Sequence, residues 1–378
     1  MNVALFSNHL VEHKGHGISR YARELHHALA ARQNGMTVMP VSSWKKTQIH
    51  DLQRLQKELG VQLLPWGKNA TALAWTFLGR PHIESWIEHS VDVVHALALG
   101  YPVATRKPLV VTIHDIGPLT HPEYFSSDRP WLMKRSLLQA VKQAAAVICV
   151  SQATADEVQD YVNGALEGRV HVAHEGVEAG LFENPVAEAL DSVKDMPPHA
   201  VPFVLAVGAL SPRKNVGRVV AAMDRLHDVI PHHLVLAGGA GWDADEFLRD
   251  AGRARIADRV HLLGYVSDTQ LQALYAAAAV CVLPSLYEGF GLPVLEAMAA
   301  GCPVITSNVS SLPEVAGDAA LLVDPFDVDA IAEAIRTVCT DDRFDSELAT
   351  RGRSRARMFT WDQCAEKVAA VYEAVATR

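Results

Sequence analysis

Short segments that are continuously apolar alternate along the chain with segments of helical periodicity. In the first half, the apolar segments that we interpret as strands are residues 2–7, 91–95, 109–113, 146–150 and 170–172. The first of them is followed by a glycine-bearing loop and then by a helix predicted over residues 18–32. Strands that are apolar on both faces and alternate with helices indicate parallel sheets covered by helices on both sides.

The alternation is interrupted between residues 181 and 202, where Glu-Asn-Pro and Met-Pro-Pro-His have the composition of a linker. A second series follows, with strands predicted at 203–207, 234–237, 260–262, 280–283, 304–306 and 320–323. Helices are predicted between them at 216–226, 269–278, 293–300 and 329–339, and a last amphipathic helix at 361–377. We therefore predict an α/β protein with two Rossmann-like, doubly wound domains, residues 1–190 and 200–360, which face a central ligand-binding cleft.

The net charge of the chain is −9, and it is unevenly distributed. Residues 1–190 carry 17 basic and 18 acidic side chains, whereas the remaining residues carry 17 and 25. The acidic second half argues against nucleic acid as a partner. Two basic segments, Trp44-Lys45-Lys46 and Trp131-Leu-Met-Lys134-Arg135, leave two alternatives open, which are contact with an anionic membrane surface and ordinary solvated helix faces.

Targeting and metal signals are weak in this sequence. The N-terminal residues have no basic leading region, and no apolar run approaches the roughly 18 residues of a membrane span. We therefore expect a cytoplasmic protein that is at most peripheral to the membrane. Five cysteines lie far apart without a Cys-x-x-Cys pair, so reduced core thiols are expected and a metal site is not.

The strongest chemical signal is the segment Pro284-Ser-Leu-Tyr-Glu288-Gly-Phe-Gly-Leu-Pro-Val-Leu-Glu296. A buried strand ends in a turn with glycines, and a helix begins near Leu292 with proline in its first turn. The N-terminus of such a helix binds anions, and Gly289 and Gly291 allow the backbone to approach a phosphate. Glu288 and Glu296 are suited to accept hydrogen bonds from ribose and sugar hydroxyls.

A second signal is Arg213-Lys214, in the first strand-to-helix turn of the second half. Two cations at a helix start oppose the helix dipole, so they have no structural benefit unless an anion such as pyrophosphate binds there. A third is Lys14-Gly-His-Gly17, which could hold a phosphate but lacks the dinucleotide fingerprint, as Gly238-Gly-Ala-Gly241 also does. His114 follows the strand 109–113 and is either a cleft residue or a structural histidine.

These segments resemble glycosyltransferase family 4, the retaining enzymes of the GT-B fold. The resemblance covers most of the chain and includes Val150-Ser-Gln-Ala-Thr, Glu175-Gly-Val-Glu, Val260-His-Leu-Leu-Gly-Tyr-Val and Ser311-Leu-Pro-Glu-Val-Ala-Gly-Asp. It is specific for the family and only weakly specific for the substrate. The Pro-Arg-Lys-Asn version of the cationic turn resembles bacterial polysaccharide mannosyltransferases, which suggests GDP-mannose as the first candidate donor.

The resemblance also implies roles for individual residues. Glu288 would contact the hydroxyls of the transferred sugar, and Glu296 those of the nucleotide ribose. Arg213 and Lys214 would hold the diphosphate together with backbone N–H groups. The other residues implied at the donor are His114 at its sugar, Gly17 at its diphosphate, Gly264, Tyr265 and Val266 at its base, and Gly289, Phe290, Gly291 and Leu292 around its phosphates. The final helix, 361–378, would complete the first domain.

Two positions depart from the family pattern. Ala209 stands where many members carry arginine after the glycine that corresponds to Gly208, so Arg213 would have to supply that charge. In the first loop, Gly-His-Gly17 replaces the common Gly-Gly, which leaves the contacts of the first domain less well defined.

The resulting hypothesis is a retaining, metal-independent glycosyltransferase. It would move a sugar from a nucleoside diphosphate donor to a hydroxyl of a glycan or lipid-linked acceptor, without another cofactor. The alternatives are a catalytically inactive sugar-nucleotide-binding subunit and a sugar-nucleotide epimerase or phosphorylase of the same two-domain shape. A nicotinamide oxidoreductase is disfavoured because both glycine-rich loops lack the fingerprint.

Overall fold

The computed structural model describes residues 1–11, 17–32, 35–43, 59–100, 102–126, 130–183, 187–198, 201–239, 241, 249 and 251–377. The chain divides into two compact units. The first unit contains Met1–Thr120, Ser127–Gly176 and Trp361–Arg378, and the second contains His121–Ser126 and Val177–Thr360. The basic segment Trp44-Lys45-Lys46 and residues Lys14 to His16 lie outside the described residues.

The first unit is built on a seven-stranded sheet in which every described strand pair is parallel. Its strands are β1 (Asn2–Phe6), β2 (Thr37–Ser42), β3 (Gln62–Leu63), β4 (Val93–Ala96), β5 (Leu109–Ile113), β6 (Ala144–Cys149) and β7 (Val170–Val172), in the order β3-β2-β1-β4-β5-β6-β7. The central strands β4 and β5 are buried at every position, which explains why they read as continuous apolar runs.

Helices cover this sheet. They are α1 (Gly17–Ala31), α2 (Lys68–Phe77), α3 (Gly117–Thr120), α4 (Pro130–Gln143) and α5 (Gln152–Tyr161), together with the C-terminal helix of the chain (Trp361–Ala376). The C-terminal helix packs against α1, and its Tyr372 hydroxyl lies 2.6 Å from His95 Nδ1. Burial lowers the pKa of His95 to about 3, helped by the neighbouring His114, so a neutral histidine anchors this helix.

The second unit contains a six-stranded parallel sheet in the order β10-β9-β8-β11-β12-β13. The strands are β8 (Phe203–Val207), β9 (His233–Ala237), β10 (Val260–Gly264), β11 (Val280–Leu283), β12 (Val304–Ser307) and β13 (Leu321–Val323). Its helices are α6 (Ala187–Asp191), α7 (Val216–Arg225), α8 (Asp268–Ala277), α9 (Leu292–Ala300), α10 (Leu312–Ala316), α11 (Val328–Thr340) and α12 (Asp342–Ala356). The C-terminal helix of the chain, which belongs to the first unit, is numbered α13.

The prediction of two parallel α/β sheets is confirmed, with local differences. Strands β2 and β3 were not predicted, because Pro40 interrupts the apolar run of β2 and β3 has only two residues. The stretch between residues 181 and 202 is not a plain linker, since α6 lies within it. No helix among the described residues is both long and apolar enough to cross a bilayer.

Candidate active site

The two cations and the first glutamate of the predicted site meet in the second unit. Arg213 and Lys214 follow β8, and Glu288 follows β11, the strand paired with β8. Lys214 Nζ lies 2.6 Å from Glu288 Oε1, and Arg213 Nη1 pairs with Oε2 of the same carboxylate. Turns after neighbouring parallel strands lie at the same sheet edge, and this explains why residues 74 and 75 positions apart come together.

The local backbone holds the cations in place. Asn215 has a left-handed conformation with φ 58°, and its side-chain amide donates hydrogen bonds to the carbonyls of Pro284 and Pro325 at 2.9 and 2.7 Å. These bonds attach the cationic turn to the turn that carries Glu288. Gly208 has φ 134°, and a Cβ there would lie 2.9 Å from Cε of Lys214, so the lysine side chain passes where a side chain at position 208 would stand.

The electrostatics of this group are unbalanced. Burial would raise the pKa of the Glu288 carboxyl, but the charges of Arg213 and Lys214 outweigh it and lower that pKa to about 2. The pKa of Lys214 is lowered as well, chiefly by burial and then by repulsion from Arg213, against the attraction of Glu288. Arg213, Lys214 and Glu288 together therefore carry a net positive charge, which the nearby Glu296 carboxylate partly offsets through its action on Lys214.

Two serines fix the backbone of Glu288, and sequence reasoning did not assign them a role. The Ser310 hydroxyl accepts a hydrogen bond from the Glu288 N–H at 2.9 Å and lies 2.8 Å from its carbonyl oxygen. The Ser311 hydroxyl lies 2.9 Å from the Glu288 carbonyl and 2.7 Å from that of Phe290. The available signal was the motif that begins at Ser311, whose function the sequence did not reveal.

The predicted helix N-terminus is present as α9. Gly291 precedes it with φ 119°, and a Cβ there would lie 3.0 Å from a Leu312 methyl group, so glycine is favoured on both grounds. Pro293 occupies the first turn as predicted. Gly289 and Phe290 lie in the turn between Glu288 and this helix, with Phe290 buried. The positive end of α9, at Leu292, therefore lies four residues after Glu288.

Glu296 lies one turn into α9 and is 4% exposed. The hydroxyl of Tyr275, on α8, donates a hydrogen bond to Glu296 Oε2 at 2.9 Å. The charge of Glu296 also acts on Lys214, whose pKa it raises. Tyr275 is fully buried and was missed from the sequence, because nothing in the periodicity of α8 separates it from a core tyrosine.

Gly264, Tyr265 and Val266 lie where β10 ends. Gly264 has φ 65°, and its carbonyl accepts a hydrogen bond from the Gly238 N–H at 2.8 Å. Tyr265 is 62% exposed, so its ring is accessible to a ligand. A Cβ on Gly238 would lie 2.0 Å from the Gly208 carbonyl oxygen, so this glycine permits a close approach of two backbone turns.

His114 and Gly17 belong to the first unit. Gly17 is the exposed first residue of α1. His114 follows β5, with Nδ1 3.0 Å from Glu175 Oε1 and Nε2 3.0 Å from the Leu97 carbonyl oxygen. The Tyr21 ring meets the His114 ring edge-on, with centroids 4.6 Å apart. The residues predicted around the donor are thus divided between the two units, and within the second unit Arg213, Lys214 and Glu288 are in direct contact.

Both ring nitrogens of His114 have a hydrogen-bond partner within the first unit, the Glu175 carboxyl at Nδ1 and the Leu97 carbonyl at Nε2. Among the residues described, no group of three or more His, Cys, Asp or Glu side chains is placed to hold a metal ion.

The chain matches two family models, one in each half. The model described as "Glycosyltransferase Family 4" matches residues 15–180, and the model described as "Glycosyl transferases group 1" matches residues 191–356. O-antigen chain mannosyltransferase B of Escherichia coli is 36% identical over 266 residues, which are 70% of this chain and 70% of that protein. The MMP alpha-(1->4)-mannosyltransferase of Mycolicibacterium hassiacum is 30% identical over 309 residues, 76% of this chain and 71% of that protein.

A solved structure resembles the whole chain. HepE of Anabaena, in complex with UDP and glucose, superposes with a TM-score of 0.77 at 19% identity, over 99% of this chain and 100% of that one. At this identity the similarity concerns the fold.

Proposed function

Because this chain belongs to glycosyltransferase family 4 and has the GT-B fold, we propose that it transfers mannose from GDP-mannose to a hydroxyl of a glycan or lipid-linked acceptor. In this reaction the sugar retains its anomeric configuration, and no metal ion takes part. The product belongs to a surface polysaccharide or glycolipid. The second unit binds the donor, and the first unit binds the acceptor.

The observation that carries the proposal is the charge balance around Glu288. Arg213 and Lys214 share this one carboxylate, and the three side chains are only 24%, 12% and 12% exposed. Water therefore screens these charges poorly, and the Glu296 carboxylate, which also acts on Lys214, offsets only part of the excess positive charge. A diphosphate supplies negative charge, and its oxygens suit the planar fork of arginine and the point charge of lysine. The N-terminus of α9 adds a third positive group beside them.

The same groups support the chemistry of transfer. When the bond between the sugar and the diphosphate breaks, negative charge accumulates on the leaving phosphate. Arg213, Lys214 and the α9 N-terminus stabilise this charge, and removal of one such group typically lowers the rate by roughly 10²–10³. In the proposed route, the acceptor hydroxyl attacks on the face that the diphosphate leaves, and a leaving phosphate oxygen takes its proton. Glu288 accepts hydrogen bonds from the sugar hydroxyls, and Glu296 from the ribose.

Mannose is the proposed sugar because two similar proteins are named as mannosyltransferases. The HepE structure holds UDP and glucose, so UDP-glucose is the competing donor in the test. We propose that His114 contacts the donor sugar, with its ring oriented by the hydrogen bonds to Glu175 and to the Leu97 carbonyl.

A donor-binding experiment tests the proposal. The purified protein is melted with GDP-mannose, UDP-glucose, ADP-glucose or dTDP-glucose in the presence of EDTA, because a ligand that binds the native state raises the melting temperature. We expect GDP-mannose alone to give a large shift, which Lys214→Ala abolishes. Arg343→Ala, on the surface of the same unit and 90% exposed, serves as the matched control. A melting-temperature shift in Lys214→Ala as large as that of wild type would refute the assignment of the donor site.

An acceptor assay follows with the preferred donor. Turnover with a polysaccharide or lipid-linked glycan supports transfer, whereas donor binding without turnover on any acceptor favours an inactive binding subunit. Because a lipid-linked acceptor resides in a membrane, we propose that the protein associates peripherally with the membrane surface.

A further inference from the structure

An apolar ridge is exposed on the first unit at the end of α2. Phe77 and Leu78 are 64% and 75% exposed, and Trp66 and Leu138 are 43% and 49% exposed. Leu78 connects the other three, since it lines one shallow depression with Trp66 and a second with Phe77 and Leu138. Single exposed apolar side chains are common, but a contiguous group of large ones marks an interaction surface.

Cations outnumber carboxylates around this ridge. The depression beside Leu138, of about 600 Å³, contains Arg135 and Lys142. The depression beside Trp66, of about 580 Å³, contains Arg80 and Arg106. Among the described residues, neither depression is lined by Asp or Glu.

The cations remain available for an external anion. Arg135 is held by the fold, since its Nη2 donates to the Thr76 carbonyl at 2.8 Å and its guanidinium lies 5.5 Å from the centre of the Phe77 ring. Within the described part of the chain, the side chains of Arg80, Arg106 and Lys142 form no ion pair. The nearby Glu84 carboxylate accepts a hydrogen bond from the backbone N–H of Arg106 at 2.8 Å and leaves the guanidinium unpaired, so the four cations keep an excess of positive charge although the chain as a whole carries −9.

We propose that the ridge and its four cations dock onto the surface of an anionic phospholipid bilayer. Large apolar and aromatic side chains insert at the boundary between headgroups and acyl chains, while flanking Lys and Arg contact lipid phosphates. A second copy of this chain fits poorly, because a two-fold interface would bring the four cations against their own equivalents. The net negative charge of the chain makes general adsorption to an anionic bilayer unfavourable, so binding must come from a local surface.

This inference extends the proposed function, to which a membrane-bound acceptor belongs, but its test does not depend on turnover. The full chain is sedimented with vesicles of phosphatidylcholine alone or of equimolar phosphatidylcholine and phosphatidylglycerol. Wild type should bind only the vesicles that contain phosphatidylglycerol, and it should bind them less at high salt because screening weakens the attraction.

Phe77→Ser with Leu78→Ser should weaken binding at least about tenfold. Arg80→Ala with Lys142→Ala should weaken it about 25-fold, since each cation near an anionic surface contributes about fivefold.

Matched controls keep the result specific to this surface. Val229→Ser removes an apolar side chain that is 54% exposed on the second unit, and Arg351→Ala removes an exposed cation there. Both controls should bind vesicles as wild type does, and circular dichroism should show all variants folded. Equal binding by the ridge variant and wild type would overturn the proposal. So would the absence of a preference for phosphatidylglycerol, or loss of self-association instead of vesicle binding in the ridge variant.

Failure of this inference is separable from failure of the proposed function. If the protein does not bind vesicles but is stabilised by GDP-mannose, only the proposed docking surface is refuted. If it binds vesicles but no nucleotide sugar, the proposed reaction is refuted and the docking surface is supported.

Discussion

Replacing Glu288 by glutamine tests the charge balance of the site directly. The substitution preserves the size of the side chain but leaves Arg213 and Lys214 without their carboxylate. The two cations and burial act in opposite directions on Glu288, and their sum lowers its pKa from 4.5 to about 2. That difference corresponds to about 3 kcal/mol of stabilisation when the carboxylate is ionised. The Glu288 side chain is only 12% exposed, so solvent screening reduces the figure little.

The dependence on pH has a defined sign. The pKa of Glu288 is depressed in the folded state, so its stabilisation is complete above pH 4.5 and is lost as the pH falls towards 2. At neutral pH a loss of about 3 kcal/mol should lower the melting temperature of the second unit by about 6–12 °C. The difference between wild type and Glu288→Gln should shrink as the pH is lowered below 4.5.

Differential scanning calorimetry is the suitable assay. Six of the seven tryptophans lie in sequence ranges of the first unit, so fluorescence would report mainly on that unit. Calorimetry follows both units and can resolve separate transitions. Pyrophosphate is then added without metal. Because it replaces the missing negative charge, it should stabilise Glu288→Gln more than wild type.

Two results would refute this reasoning. The first is an unchanged melting temperature at neutral pH, which would mean that the carboxylate does not hold the cations in solution. The second is an equal pyrophosphate shift in both proteins, which would mean that no uncompensated positive charge exists after the substitution. Arg336→Gln, which breaks an exposed pair with Glu333, should change the melting temperature by little and serves as the control.

Three further predictions concern the supports of the site. Gly208→Ala should displace Lys214 and lower turnover about as much as Lys214→Ala does, whereas Gly217→Ala in α7, where a Cβ meets nothing within 4 Å, should leave turnover unchanged. Tyr275→Phe should weaken donor affinity roughly tenfold with little change in kcat, because Glu296 loses a buried hydrogen bond, and titration calorimetry measures this. Glu175→Gln should lower kcat/KM, and its combination with His114→Ala should be no worse than His114→Ala alone if Glu175 acts through that histidine.

The sequence alone determined the type of fold. Each central strand, such as β5 or β11, is buried on both faces, and that burial appears in the sequence as an uninterrupted apolar run. The helix start at α9 was equally readable, because Pro293 and the glycines before it restrict the backbone locally. The family was recognisable for the same reason, since its motifs are continuous in sequence.

Features that depend on the order in which strands pair could not be predicted from the sequence. Strands β2 and β3 hold the edge of the first sheet, yet their residues are too few or too interrupted to form a pattern. The roles of Ser310, Ser311 and Tyr275 could not be predicted from the sequence either. The serines act through hydrogen bonds between two turns and Tyr275 through a hydrogen bond between α8 and α9, and serine and tyrosine occur in many other contexts.

Tertiary structure alone decided which charges meet. The sequence proposed Arg213, Lys214 and Glu288 for one site, but only the adjacency of β8 and β11 puts all three in contact. In the same way, His114 and Glu175 are 61 residues apart, and only the tertiary structure brings the Glu175 carboxyl to Nδ1 and the Leu97 carbonyl to Nε2 of this histidine. Periodicity along a chain reports which face of an element is buried. The partners of a polar side chain depend on the order in which strands pair, and that order is set by packing across the whole sheet.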